Sequence, residues 1–253
     1  MSSIAISSIT LLCLTAGFLL GLWLQYRLPE HHLSKESQDT VKLGTGMVAT
    51  MSALILGLLV SSAKSSFDAM NLAVAQNGAR IIQLDHFLAV YGPETRAVRD
   101  QLKTSVTQQV ENIWHSSTPG GSGMHAVEKS STMLDLQASL RALTPQTDSQ
   151  KSALSQVQQI CNDIWQNRLL ILEQQQQPVS SVFLVLLAFW LTMLFLSFGL
   201  FAPGNTTVLA VMLVCALSVS SAVFLILEMN HPLEGCIRVS DAPLRKALEL
   251  IGH

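Results

Sequence analysis

Residues 57–71, GLLVSSAKSSFDAMN, decide how the rest of the chain is read. Gly57 to Val60 suit lipid, Ser61 and Ser62 soften the run, Lys64 adds a full charge, and Asp68 follows one turn later. No glycine or proline interrupts Leu58 to Asn71, so a helix is expected to run unbroken from membrane into water. A purely lipid-facing helix has no need of small, hydroxylated and charged residues along that boundary.

The composition around this stretch is that of a membrane protein. Hydrophobic residues make up 49% of the 253 and charged residues only 13%, with a mean hydropathy of +0.39. An ordinary soluble domain rarely combines these. The net charge of −2 lacks the concentrated basic face that nucleic-acid binding uses, so no nucleic-acid partner is expected. Cys13, Cys161, Cys215 and Cys236 form no CxxC pair, which argues against a disulfide framework or zinc knuckle and for a reducing compartment.

Four apolar segments are long enough to span: about Ile4 to Gln25, Leu43 to Ala63, Val179 to Phe201, and Thr206 to Leu227. About 21 helical residues rise roughly 31 Å, matching a hydrocarbon core of about 30 Å. The first segment reads as an anchor rather than a cleaved signal. Residues 1–8 carry no Lys or Arg, the apolar run is too long for a signal core, and no small-x-small site precedes His31-His32.

Four spans put the N-terminus, the 64–178 insert and the C-terminal tail on one side. The other side keeps only the 26–42 loop and the APGN turn at 202–205. Near the span ends, Lys64, Arg80, Arg168, Arg238, Arg245 and Lys246 stand against Arg27, Lys35 and Lys42, six against three. The bias favours a cytoplasmic insert, with both termini on the same side.

The insert reads as all-α. Phe67, Met70, Val74, Ile81, Leu84, Leu88 and Tyr91 recur at steps of 3, 4, 7, 3, 4 and 3, one apolar stripe on a helix. YGPET at 91–95 breaks it, Gly92 stopping one helix and Pro93 starting the next. Val98, Leu102, Val106, Val110 and Ile113 mark that second helix. STPGGSG at 117–123 is a loop, Met133, Leu136, Leu140 and Leu143 a third helix ended by Thr144-Pro145, and Leu154, Val157, Ile160 and Ile164 a fourth. The fourth continues into the polar EQQQQP at 173–178, and Pro178 is a candidate kink before the third span.

The chemistry of catalysis is missing. The seven histidines, at 31, 32, 86, 115, 125, 231 and 253, fall in no HExxH or Cys/His zinc spacing. No GxSxG, Walker or GxGxxG pattern occurs. Neither an enzyme, nor a cofactor, nor a bound metal is expected.

Stripes of small residues say more. Gly17 and Gly21 in GFLLG allow a neighbouring helix to approach the first span closely. In the second span Gly46, Thr50, Ala53, Gly57, Ser61 and Lys64 follow at steps of 4, 3, 4, 4 and 3, placing small or hydroxyl groups on one face that ends in a cation. Two readings fit this face. It packs inside a four-helix bundle while Lys64 snorkels to headgroups, or it lines a water-filled path where several subunits surround an axis. Asp68, one turn beyond Lys64, and Glu228 and His231, at the end of the fourth span, are candidates for the cytoplasmic mouth of that path.

Three blocks resemble a bacterial membrane family labelled bestrophin-like. They are LGTGMVATMSALILGLLVSSAKSSFDAMN (43–71), LDHFLAVYGPETRAVRD (84–100) and LEMNHPLEGCIRVSDAPLRKAL (227–248). The resemblance covers essentially the whole chain. Bestrophins proper are pentameric ion channels whose second transmembrane segment lines the pore, so it implies a pore along Gly46, Thr50, Ala53, Gly57, Ser61 and Lys64. The chain departs from bestrophins at the phenylalanine neck, with no Phe in the second span before Phe67. It departs again at the calcium cluster, where Glu228, Glu234 and Asp241 are too dispersed for a ligand set.

The expected protein is therefore an all-α membrane protein with four transmembrane helices. A long helical cytoplasmic insert lies between the second and third, and helices continue across the membrane boundary. Its divisions are 1–63, 64–178, 179–228 and 229–253. Its partners are further copies of itself, the lipid bilayer and inorganic ions. The alternative is a non-conducting scaffold or signalling protein whose cytoplasmic helices recruit a partner.

Overall fold

The computed structural model describes residues 3–29, 35–115, 138–175, 181–203, 205–233 and 235–252. His31-His32, the 117–123 loop, His125, Met133, Leu136, Pro178 and Glu234 lie outside the described residues. Among the described residues seven α-helices of nine residues or more follow in order: α1 Ser3–Arg27, α2 Lys35–Tyr91, α3 Arg96–Val110, α4 Asp148–Gln175, α5 Ser181–Phe201, α6 Thr206–Met229 and α7 Ala242–Leu250. Among the described residues there is no strand. α1, α2, α5 and α6 are long and apolar enough to cross a membrane.

α2 runs for 57 residues, far more than the about 20 that a bilayer core requires. It starts at Lys35, earlier than the apolar run at Leu43 suggests. Nothing between them breaks a helix, Glu36 suits the positive end of the helix dipole, and the Thr40 hydroxyl donates to the Glu36 carbonyl at 2.9 Å. At its other end Gly92 adopts φ 138° and Pro93 opens a short 3-10 turn, as the YGPET stretch implies. Thr95, fully buried, donates its hydroxyl to the carbonyls of Leu88 (2.5 Å) and Gly92 (2.8 Å) and fixes that corner.

The chain divides into two compact units, Met1–Ser65 with Gln177–Asn230 and Ser66–Gln176 with His231–His253. In the first, α1 packs along α5 and, less extensively, along α6. Three glycines set the α1–α5 approach. A Cβ on Gly17 would lie 2.9 Å from Thr192 Cγ2 and 3.0 Å from the Thr192 carbonyl oxygen. One on Gly21 would run into the Leu196 carbonyl, and one on Gly199 into that of Phe18. With no aqueous driving force between lipid-bathed helices, such backbone contact supplies the attraction. The Ser220 hydroxyl donates to the Ser7 carbonyl at 2.7 Å and ties α6 to α1.

In the second unit the sequence stripes form the core. Met70, Val74, Ile81, Leu84, Leu88 and Tyr91 of α2, Val98, Leu102, Val106 and Val110 of α3, and Val157, Ile160 and Ile164 of α4 are all buried. The tail joins this core. Val239, Leu244, Ala247 and Ile251 are buried with it, and Gly78 lets the Pro243 carbonyl come within 2.8 Å of where a Cβ would stand.

Candidate functional site

The candidate face lies on the apolar part of α2 that is long enough to cross a membrane. Gly46, Thr50, Ala53, Gly57, Ser61 and Lys64 are all exposed in the protomer, and so is Asp68 further along the same helix. At about 100° per residue they occupy about 80° of the helix circumference. Ser52, Leu59 and Ala63, the buried residues of this stretch, lie about 140° away on the opposite side. A third sector holds Leu43, Met47, Met51, Leu54 and Leu58, which are 51–74% exposed.

The glycines on α2 differ from those on α1. Beyond the adjacent backbone of α2 itself, no described residue lies within 4 Å of a Cβ built on Gly46 or Gly57, whereas Gly17 and Gly21 are pressed against the backbone of α5. Both glycine patterns look alike in the sequence, yet only the α1 pair serves packing within the protomer. The Thr50 hydroxyl donates to the Gly46 carbonyl at 3.0 Å, so its proton is committed to the helix and its oxygen remains an outward acceptor. The surface is thus narrow, small and mildly polar, with a sector of bulky apolar side chains beside it.

The remaining candidates are placed separately. Glu228 is 5% exposed at the C-terminal end of α6, and His231 lies exposed just beyond that helix. Among the described residues no group of three or more His, Cys, Asp or Glu could hold a metal ion.

The second unit contains a polar latch that sequence reading missed. Asp85, 6% exposed, accepts two hydrogen bonds from Arg99, from Nε at 2.7 Å and Nη2 at 2.8 Å, and a third from the Gly252 N–H at 3.3 Å. Lys103 Nζ donates to the Ile251 carbonyl at 3.4 Å. Burial pushes the Asp85 pKa up, but the Arg99 hydrogen bonds, the Gly252 N–H and the nearby Lys103 outweigh it, so the net shift is downward. The Trp114 Nε1–H, from the wide turn Glu111–His115 after α3, donates to the Val239 carbonyl at 2.8 Å. These groups hold the tail to α2 and α3. Residues 85, 99 and 252 are too far apart in the chain for local pattern to pair them, although a lone acid in an apolar stripe is a signal that a partner exists.

The sequence profile of the bestrophin-like domain matches residues 12–244. The chain belongs to the bestrophin-like family. No curated protein matches this bestrophin-like chain significantly. Two crystal structures of mutant forms of a bacterial bestrophin homolog from Klebsiella pneumoniae share its fold. The first has a TM-score of 0.63 at 13% identity and covers 99% of both chains. The second has a TM-score of 0.60 at 15% identity and covers 99% of this chain and 97% of the other. At such low identity these similarities establish the bestrophin-like fold, not the role of any side chain.

Proposed function

We propose that this protein is a subunit of an oligomeric ion channel of the bacterial inner membrane, with five subunits around a pore lined by α2. Conduction is passive, and the family's relatives are ion channels rather than enzymes. The Lys/Arg excess near the ends of the insert and tail supports a topology with the insert, both termini and the 229–253 tail in the cytoplasm. In that frame Gly46, Thr50, Ala53, Gly57, Ser61 and Lys64 form the wall, and Asp68, Glu228 and His231 stand at its cytoplasmic mouth.

One observation carries the reading: the small-residue face of α2 is exposed in the protomer, and beyond the adjacent backbone of α2 no described residue comes within 4 Å of a Cβ on Gly46 or Gly57. Small side chains leave room for a hydrated ion, hydroxyl oxygens replace part of its shell, and a ring of charges sets its preference. The neighbouring Met47, Met51, Leu54 and Leu58 supply an apolar sector for subunit contact or lipid.

Purified protein in a planar bilayer with unequal salt on the two sides tests this. Discrete currents that vanish in Ser61→Trp, with the oligomer intact, are expected, and the reversal potential gives the charge preference. Intact oligomers whose currents are unchanged by Ser61→Trp and Gly57→Trp would remove α2 from the pore.

A further inference from the structure

α2 and α4 run antiparallel in the second unit and are stitched at three levels. Asn167 Nδ2 donates to the Ala73 carbonyl at 3.1 Å and Asn77 Oδ1 at 2.8 Å. Arg80 Nη1 donates to the Asp163 carbonyl at 3.4 Å. Gln150 Nε2 donates to the Tyr91 carbonyl at 3.2 Å. Between the second and third stitches the helices leave a groove of about 570 Å³, a volume within the range of small-molecule sites.

Its floor is apolar, formed by Ile82, Phe87 and Ile160. Its rim carries the side-chain amides of Gln83, Gln156 and Gln159, the imidazole of His86 and the carboxylate of Asp163. These five side chains make no hydrogen bond or ion pair to the described chain. Arg80 engages the main-chain oxygen of Asp163, which leaves the carboxylate available. The His86 ring stands edge-on to Phe87 at 5.9 Å, so the aromatic pair is already positioned.

We propose that this groove binds an organic ammonium, a small molecule with an apolar body and one cationic head. The body covers Ile82, Phe87 and Ile160, and the head meets Asp163, the one carboxylate on the rim. The glutamine amides, each both donor and acceptor, orient the ligand's remaining polar groups. The bracketing stitches keep the groove open, so little ordering opposes binding. This assignment stands independently of ion conduction.

The test uses full-length protein in nanodiscs of zwitterionic lipid and three probes sharing one body: 3-phenylpropylammonium, 3-phenylpropanol and 3-phenylpropionate. Saturation-transfer NMR ranks their binding. The ammonium should bind about fivefold tighter than the alcohol, the worth of one partly exposed ion pair, and the carboxylate weakest. Asp163→Asn should abolish the ammonium preference and leave the alcohol unchanged, while Gln156→Trp, which fills the groove, should remove all three. Equal binding of the three probes, or an ammonium preference that survives Asp163→Asn, overturns the proposal. Binding untouched by Gln156→Trp marks partition into lipid and overturns it too. So does efficient disulfide crosslinking between subunits through Gln156→Cys, which would show the groove covered by a second copy.

Discussion

Alanine placed at Gly21 and at Gly57 should move stability in opposite directions. At Gly21 the new Cβ would overlap the Leu196 carbonyl and lie 2.8 Å from the Leu200 nitrogen, both main-chain atoms of α5 that cannot rotate away. Overpacking of this kind costs about 1–3 kcal/mol. At Gly57 no described atom beyond the helix's own adjacent backbone lies within 4 Å of the Cβ, and alanine is better than glycine inside a helix by up to about 1 kcal/mol. At about 2–4 °C per kcal/mol for a chain of this size, Gly21→Ala should lower the melting midpoint by roughly 2–12 °C. Gly57→Ala should leave it unchanged or raise it. Detergent-solubilised oligomers, heated and followed by size-exclusion chromatography, give both midpoints. The bilayer should then give the reverse ranking, with currents altered in Gly57→Ala and retained by whatever Gly21→Ala protein stays assembled. A comparable melting loss at both positions would refute the reasoning, because Gly57 would then be pressed against a neighbouring subunit and could not border an open path.

Three further outcomes follow from the two units. The Asp85 carboxyl, held below its ordinary value of 3.8, stabilises the fold above that value and loses its contribution as pH falls through the lower folded value. Melting midpoints should therefore drop below about pH 4, and Asp85→Asn, which leaves Arg99 without its acid, should cost about 3 kcal/mol and flatten that acid limb. Burial pushes the Cys161 thiol up to about 11, so maleimide at neutral pH should label exposed Cys236 in the native protein and reach Cys161 only after denaturation, as mass spectrometry of the peptides can show. Ser52 is 2% exposed and its hydroxyl has no partner among the described residues, so Ser52→Ala should be neutral or stabilising by up to about 2 kcal/mol in the same melting assay.

Much of this molecule is written locally. The Phe67-to-Tyr91 stripe, the Gly92-Pro93 break and the Val98-to-Val110 repeat each depend on residues within a turn or two of one another, and each stands where its period puts it. Membrane-length apolar runs are equally local, and α1, α5 and α6 begin and end within a few residues of them. The rest depends on what meets what. α5 is apolar all round, so nothing in its period marks Gly199 as the counterpart of Gly21. The tail helix was within reach, since Leu244, Ala247 and Ile251 repeat at helical steps, but its place in the core follows from α2 and α3. The wide turn at Glu111–His115 left no trace in the apolar steps either.

The small-residue stripes show the same limit most sharply. Glycine four residues from glycine in α1 and the Gly46-to-Gly57 line in α2 obey one sequence rule, because the rule records only that a side chain is absent. What fills the vacated space is a tertiary fact. On α1 it is the backbone of α5, which nothing larger could approach. On α2 no described residue of the protomer fills it, while the opposite face is occupied by the buried Ser52, Leu59 and Ala63. A helix that buries one side, keeps a second small and leaves a third bulky has three kinds of neighbour to satisfy, and its own chain supplies one of them. In the channel proposed above, a second copy on the bulky sector and an axis along the small one would account for the other two, so in that proposal the oligomer and the pore stand or fall together.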